Sequence, residues 1–114
     1  LLLVLSALVP PAFATLYYYE GDLAPWTGEV PYPPFGYLLP GSRVYEEVWW
    51  NTTSTVGIGI YDLIGDVAYY VPRTGGYAYL MWEIPYYSYW GFFILNMGDI
   101  PIHYRAIVDV YEAR

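Results

Sequence analysis

The chain of 114 residues contains no cysteine, no lysine, no glutamine and a single histidine, His103. The lack of cysteine excludes disulfides, thiolate metal sites and a cysteine nucleophile. A single histidine offers no pair for a histidine metal site, and neither a G-x-S-x-G motif nor a phosphate-binding glycine loop is present. The sequence therefore predicts a protein that is not an enzyme and that needs no metal or other cofactor.

Positive charge is also scarce, since eleven acidic residues face four arginines and the formal net charge is −7. Nucleic acid requires a cationic surface, so it is a poor partner, and an anionic membrane surface is equally poor. Few heat-labile side chains are present, which is common in thermophile proteins, whereas the lack of lysine is not. Thermostability is therefore a hypothesis that heating the purified protein would test.

Aromatic residues are abundant, with 16 tyrosines, five tryptophans and four phenylalanines. A chain of this length makes one domain, and a domain of that size buries only part of so many large rings. The remaining rings must face outward, where aromatic patches mark binding surfaces.

The N-terminal segment, residues 1–9, is an apolar run that ends before Pro10 and Pro11. A transmembrane helix fits this segment badly, because nine residues reach only about 14 Å as a helix against a hydrocarbon core of about 30 Å. Two interpretations remain: a secretory signal-peptide remnant ending in Ala12-Phe13-Ala14, or a strand buried on both faces. We favour the strand, and we expect no membrane span in the mature form. The predicted contact residues are Leu1, Leu2, Leu3, Val4, Leu5, Ala7, Leu8 and Val9.

The whole chain divides into an N-terminal segment, residues 1–15, and a folded domain, residues 16–114. The folded domain contains a proline-rich arm over residues 21–41. Five prolines and four glycines in this arm exclude a helix and a central strand, which predicts a long surface loop or extended arm. Tyr32, Phe35 and Tyr37 lie along it and are candidate contact residues.

Short strands alternate with turn signals through the domain, at the spacing typical of a β-sandwich. In the last strand, apolar and polar residues alternate clearly. The predicted fold is all-β, a single jelly-roll-like β-sandwich with an extended apolar N-terminal strand. The predicted strands are residues 16–20, 43–50, 54–61, 67–71, 77–84, 90–95 and 102–111.

Two motifs bear on chemistry and modification. Glu46 and Glu47 are adjacent strand residues that point to opposite faces, so they cannot flank one glycosidic bond. Asn51-Thr52-Thr53 matches the N-glycosylation sequon, and Asn51 is therefore a candidate for an N-linked glycan.

Three segments carry a resemblance to known families: Val56-Gly-Ile-Gly-Ile-Tyr-Asp-Leu-Ile-Gly65, Gly91-Phe-Phe-Ile-Leu-Asn-Met-Gly98 and Ile102-His-Tyr-Arg-Ala-Ile-Val-Asp-Val-Tyr111. Over residues 41–111 the chain resembles small jelly-roll sandwiches of secreted proteins, including the pre-peptidase C-terminal type. With its apolar N-terminal segment, it is similar to subunits of archaeal extracellular pili and threads and of bacterial biofilm-matrix fibres. That resemblance implies donor-strand exchange, in which one subunit's N-terminal strand completes the next subunit's sheet.

The expected function is a structural subunit of an extracellular filament, located outside the cell or at its surface. Residues 1–9 would add as a strand to the neighbouring copy and form a head-to-tail homopolymer. Their burial would contribute roughly 10–20 kcal/mol before ordering costs. The alternative is a secreted carbohydrate-binding or accessory module with a cleavable signal peptide. Its candidate stacking platforms are Trp49, Trp50, Trp82 and Trp90, of which we expect at least two to pack in the core instead.

Overall fold

A computed structural model describes residues 14–114, so the predictions for residues 1–9 as a donor strand lie outside the described part of the chain. Residues 14–114 contain no helix, and hence no helix capable of spanning a membrane. The nine strands are β1 (Ala14–Leu23), β2 (Gly28–Glu29), β3 (Gly36–Leu38), β4 (Arg43–Trp50), β5 (Val56–Asp62), β6 (Val67–Arg73), β7 (Tyr77–Glu83), β8 (Ser88–Asn96) and β9 (Ile102–Tyr111).

The strands form two antiparallel sheets that pack as a sandwich. The first sheet has the order β1-β9-β4-β7, and the second has the order β2-β8-β5-β6. The short strand β3 also pairs with β8, on the edge that β2 occupies, because β5 takes the other edge. The prediction of an all-β sandwich is confirmed, and the finer jelly-roll assignment stays a prediction.

The core lies between the sheets and follows the two-residue period of the strands. In β9 the residues that alternate from Ile102 to Val110 are buried, as the sequence predicts. In β4 every second residue from Val44 to Trp50 faces the same interior. The second sheet contributes Trp90, the largest fully buried side chain.

The proline-rich arm is more structured than the sequence indicates. The arm begins inside β1, and it contains β2 and β3, which pair with opposite ends of the β8 edge. The prediction of a surface loop is therefore corrected for these residues: short strands at a sheet edge tolerate neighbouring prolines, which central strands do not. β6 likewise continues through Pro72, because that strand is also at an edge.

One glycine is required by close strand packing. A Cβ at Gly59 in β5 would lie 1.7 Å from the carbonyl oxygen of Tyr69 in β6. No side chain fits at that distance, so glycine lets these two strands approach each other.

Candidate subunit interface

One lateral side of the sandwich is closed by the chain's own aromatic residues. The ring of Tyr17 in β1 lies 5.2 Å from that of Phe35, and the ring of Tyr19 lies 5.3 Å from that of Phe92 in β8. The Tyr19 hydroxyl donates a 2.6 Å hydrogen bond to the carbonyl oxygen of Pro33. These contacts place β1 over β3 and β8, and they seal this side with the segment that precedes β4.

The opposite side ends in two free edges. Since β1 lies over β8 and β3, the strand orders place β7 opposite β5 and β6. Within residues 14–114, β6 pairs only with β5, and β7 pairs only with β4. Each strand therefore presents one row of backbone donors and acceptors that no described strand occupies.

Core-facing side chains at these two edges are left partly uncovered. Tyr69 and Val71 in β6 pair directly with the buried Ile60 and Ile58, so they face the interior with them. Tyr69 is nevertheless 36% exposed, and Val67, on the same face, is 40% exposed.

In β7, the inward-facing Leu80 and Trp82 pack against the core but are only half-buried. We call this open strip the β6–β7 seam. Its members are Val67, Tyr69, Val71, Leu80 and Trp82.

A buried carboxyl group lies next to the seam. Glu46 in β4 is fully buried and pairs directly with Leu80. Its Oε1 accepts a 2.9 Å hydrogen bond from Trp82 Nε1, whereas its Oε2 has no partner among the described residues. Burial raises the pKa of Glu46 well above its usual range, and the Trp82 hydrogen bond opposes the shift. On the open side of the interior, one buried carboxyl oxygen therefore has no hydrogen-bond partner among the described residues.

One end of the seam is held by a hydrogen-bond network centred on Asp62. Burial alone would raise the pKa of Asp62, but hydrogen bonds from Gly65 N, the Ser88 hydroxyl, the Tyr86 hydroxyl and Ile64 N lower it to about 2. The Tyr86 hydroxyl also lies 3.2 Å from that of Tyr69. Asp62 therefore links the loop before β8 to a seam residue, which fixes this end of the open strip.

The structure separates the three predicted contact residues of the arm. Tyr32 is 88% exposed. Tyr37 is also exposed, and its ring stacks on Tyr87 with centroids 5.5 Å apart. Phe35 instead packs against Tyr17 and the domain's own core. Only Tyr32 and Tyr37 of the three face outward.

The sequon residue Asn51 is exposed immediately after β4. Its Oδ1 accepts a hydrogen bond from His103 N at 2.9 Å, and its Nδ2 makes no hydrogen bond within residues 14–114. The His103 ring lies between two carboxylates of β1, with Asp22 at 2.8 Å and Glu20 at 2.8 Å. Hydrogen bonds to Asp22 first and to Glu20 second raise the pKa of His103. This exposed cluster ties β1 to β9.

The tryptophans proposed as stacking platforms do not form one surface. Trp50 and Trp90 are buried in the core, and Trp82 faces the interior beside Glu46. Only Trp49 lies on the outer face of the first sheet, where Arg105 sits 5.6 Å from its ring centroid. In the described part of the chain, no group of three or more histidine or carboxylate side chains is arranged to hold a metal ion.

No family model matches the chain, and no curated protein matches it. Among solved structures, it is similar to a chain from Bacillus endospore appendages, which are described as a family of disulfide-linked pili. That match has a TM-score of 0.52 and 14% identity and covers 89% of each chain. A second is PliG of Aeromonas hydrophila, a periplasmic inhibitor of g-type lysozyme, with a TM-score of 0.50, 10% identity and coverage of 85% and 87%. At these identities the similarity shows a shared fold.

Proposed function

We propose that this protein is a non-catalytic structural subunit of an extracellular filament. In that filament, residues 1–9 of one subunit lie as a strand in the β6–β7 seam of the next. The observation that carries the proposal is the seam itself, where core-facing side chains remain exposed between two adjacent free edges. A sandwich that is closed on one side and open on the other needs an external strand to finish its core.

The N-terminal segment has the length and character that this seam requires. β6 and β7 have seven residues each, and nine extended residues span about 30 Å, so the segment can run the full length of either edge. All nine residues except Ser6 are apolar. Main-chain hydrogen bonds to a free edge would supply affinity, and alternate side chains would cover the seam residues.

The fold similarity to a chain from pilus-forming appendages supports this assignment. Those pili are described as disulfide-linked, whereas this chain has no cysteine and must hold its neighbours by noncovalent contacts. A strand passed from one subunit to the next is a head-to-tail contact that does not close on itself, so it propagates into a fibre.

The surroundings of the filament follow from the same proposal. An appendage subunit and a periplasmic inhibitor share this fold, which supports a location outside the cytoplasm. The free Nδ2 of Asn51 is the position for an N-linked glycan. The archaeal pilus and thread subunits that the sequence resembles are the relatives we expect.

The experiment is deletion of residues 1–9, with negative-stain electron microscopy and sedimentation as readouts. We expect the full chain to form filaments and the deletion variant to remain dispersed with an unchanged β-sheet circular dichroism spectrum. Tyr18→Ser, on the outer face of β1, is the matched control and should assemble normally. Filaments from the deletion variant would overturn the proposal.

A further inference from the structure

A hollow of about 480 Å³ lies on the outer face of the first sheet, away from the interior and from the seam side chains. Its floor is formed by the ends of β4 and β9, the two central strands of that sheet. Six of its side chains carry polar groups: Arg43, Tyr45, Tyr79, Asp109, Tyr111 and Glu112.

Strand register brings these side chains together. Arg43 pairs with Tyr111, and Tyr45 pairs with Asp109, so all four point outward from adjacent strands. The rings of Tyr45 and Tyr111 meet edge to face, with centroids 5.6 Å apart. Tyr79 projects from the neighbouring edge strand β7 and is 60% exposed. The hollow therefore has two rings oriented by a rigid floor and a third that is open to a ligand.

The polar side-chain groups of this hollow have no hydrogen-bond partners among the described residues. Within residues 14–114, none of the six makes a hydrogen bond or an ion pair, although Arg43 shares the hollow with the carboxylates of Asp109 and Glu112. Some tyrosines elsewhere differ. The hydroxyls of Tyr19 and Tyr77, for example, donate 2.6 Å hydrogen bonds to protein acceptors.

This combination selects a class of ligand. An apolar ligand would strip water from three charged groups without replacing their hydrogen bonds, which is costly. A polyanion would meet two carboxylates for one arginine. The apolar ring faces and the free donors and acceptors suit a ligand that has both apolar C–H faces and many hydroxyls. The volume lies within the range of about 300–1,000 Å³ typical of small-ligand sites.

We propose that this hollow binds a neutral saccharide. Tyr79 and Tyr111 would pack against the sugar rings, and Arg43, Asp109 and Glu112 would bind their hydroxyls. The site uses the outer face of the sheet, whereas strand insertion uses its free edge and interior. The saccharide proposal is therefore independent of the filament proposal, and either can fail alone.

The test is calorimetric titration of the full chain with cellotetraose, mannotetraose and chitotetraose, and with a sulfated heparin-derived tetrasaccharide as the anionic probe. We expect saturable binding of at least one neutral tetrasaccharide with a Kd below about 1 mM and none of the sulfated probe. Tyr79→Ala should weaken that binding by about tenfold or more, and Tyr18→Ala should change it by less than about twofold. Tyr18 is a suitable control because it is 57% exposed on the same sheet face, outside the hollow.

Three results would overturn the proposal. The first is an absence of saturable binding by all three neutral probes. The second is equal affinity for Tyr79→Ala and the full chain. The third is binding of the sulfated probe as tight as that of the neutral ones. Circular dichroism of each variant verifies that a loss of binding does not reflect unfolding, and Tyr79→Phe, which keeps the ring, should retain most of the affinity.

Discussion

The two lateral sides of the sandwich differ in how far the chain covers its own core. On the β1 side, the proline-rich arm places β2 and β3 against the β8 edge, and aromatic contacts seal the interior. On the β6–β7 side, no described segment covers either edge, and core-facing side chains remain exposed. The described residues thus cover the core on one side and leave it partly uncovered on the other, which is where the proposed partner strand would lie.

Polar groups show the same contrast. On the closed side, the Tyr104 hydroxyl donates a hydrogen bond to the Glu29 carboxylate. The Asn96 side-chain amide donates a 2.8 Å hydrogen bond to the carbonyl oxygen of Ile100. Beside the seam, one oxygen of Glu46 has no partner in the described residues. Buried polar groups are normally hydrogen-bonded, so the exception falls beside the open strip of the sandwich.

The largest expected difference comes from the same substitution made on each side. Leu38→Ala removes a fully buried side chain in β3 and should lower the free energy of unfolding by about 2–5 kcal/mol. Leu80→Ala, in the seam, should cost less than half as much in the unassembled subunit, since that side chain is only half-buried. Urea unfolding of subunits lacking residues 1–9 measures both. Equal losses would mean that the seam is as well packed as the closed side.

A smaller effect should come from replacing the buried carboxyl group with an amide. Folding raises the pKa of Glu46 above its ordinary value of 4.5. The folded state therefore holds the Glu46 proton more tightly than the unfolded chain does. The wild-type free energy of unfolding should therefore fall as the pH rises above about 4.5 towards the folded pKa. Glu46→Gln should lack this decrease. Urea unfolding of both proteins at several pH values checks it, and parallel curves would contradict the assignment.

On the closed side, Tyr19→Phe should lower the free energy of unfolding by about 1 kcal/mol. This change removes the hydroxyl that bonds the Pro33 carbonyl oxygen and keeps the ring that stacks on Phe92. The urea midpoint gives the measurement. Tyr79→Phe is the matched control, because the Tyr79 hydroxyl has no partner in the described residues, and its midpoint should not move.

The smallest effect concerns the exposed cluster in which the His103 ring lies between the carboxylates of Asp22 and Glu20. Because the pKa of His103 is raised above 6.5, its stabilisation is complete below about pH 6.5 and is lost as the pH rises through the folded pKa. His103→Gln should therefore lower Tm more at pH 6 than at pH 9. Salt should reduce the effect, since the group is exposed. An equal change in Tm at both pH values would show that titration of His103 does not contribute to stability.

The two central strands of the first sheet were predictable from the sequence. β4 and β9 have the predicted bounds, because they lie in the middle of a sheet and their alternation records burial on one face. The edges were not. Pro72 was expected to end its strand, yet an edge strand tolerates a missing donor, and β6 continues to Arg73. Likewise, β2 and β3 are too short to produce a periodic pattern.

The candidate sites show the same limit. The opposite directions of Glu46 and Glu47 follow from the strand period alone. The seam depends on which strands are left at the edges, which is a property of sheet order that no local pattern encodes. The hollow on the outer face of the first sheet depends on register between β4 and β9, so Tyr45 and Asp109 meet although 64 positions separate them. The expectation that at least two of the four tryptophans pack in the core is confirmed by Trp50 and Trp90, although composition alone did not indicate which two.

If residues 1–9 occupy the seam of another copy, as we propose, disulfide trapping should detect that contact. The chain has no cysteine, so a disulfide between Val4→Cys and Val71→Cys subunits reports only that contact. We expect a Val4–Val71 cross-linked dimer, identified by mass spectrometry, when the two variants are mixed and assembled. We expect no such product with Tyr18→Cys in place of Val71→Cys. No Val4–Val71 cross-link, or an equal yield with Tyr18→Cys, would contradict the proposal.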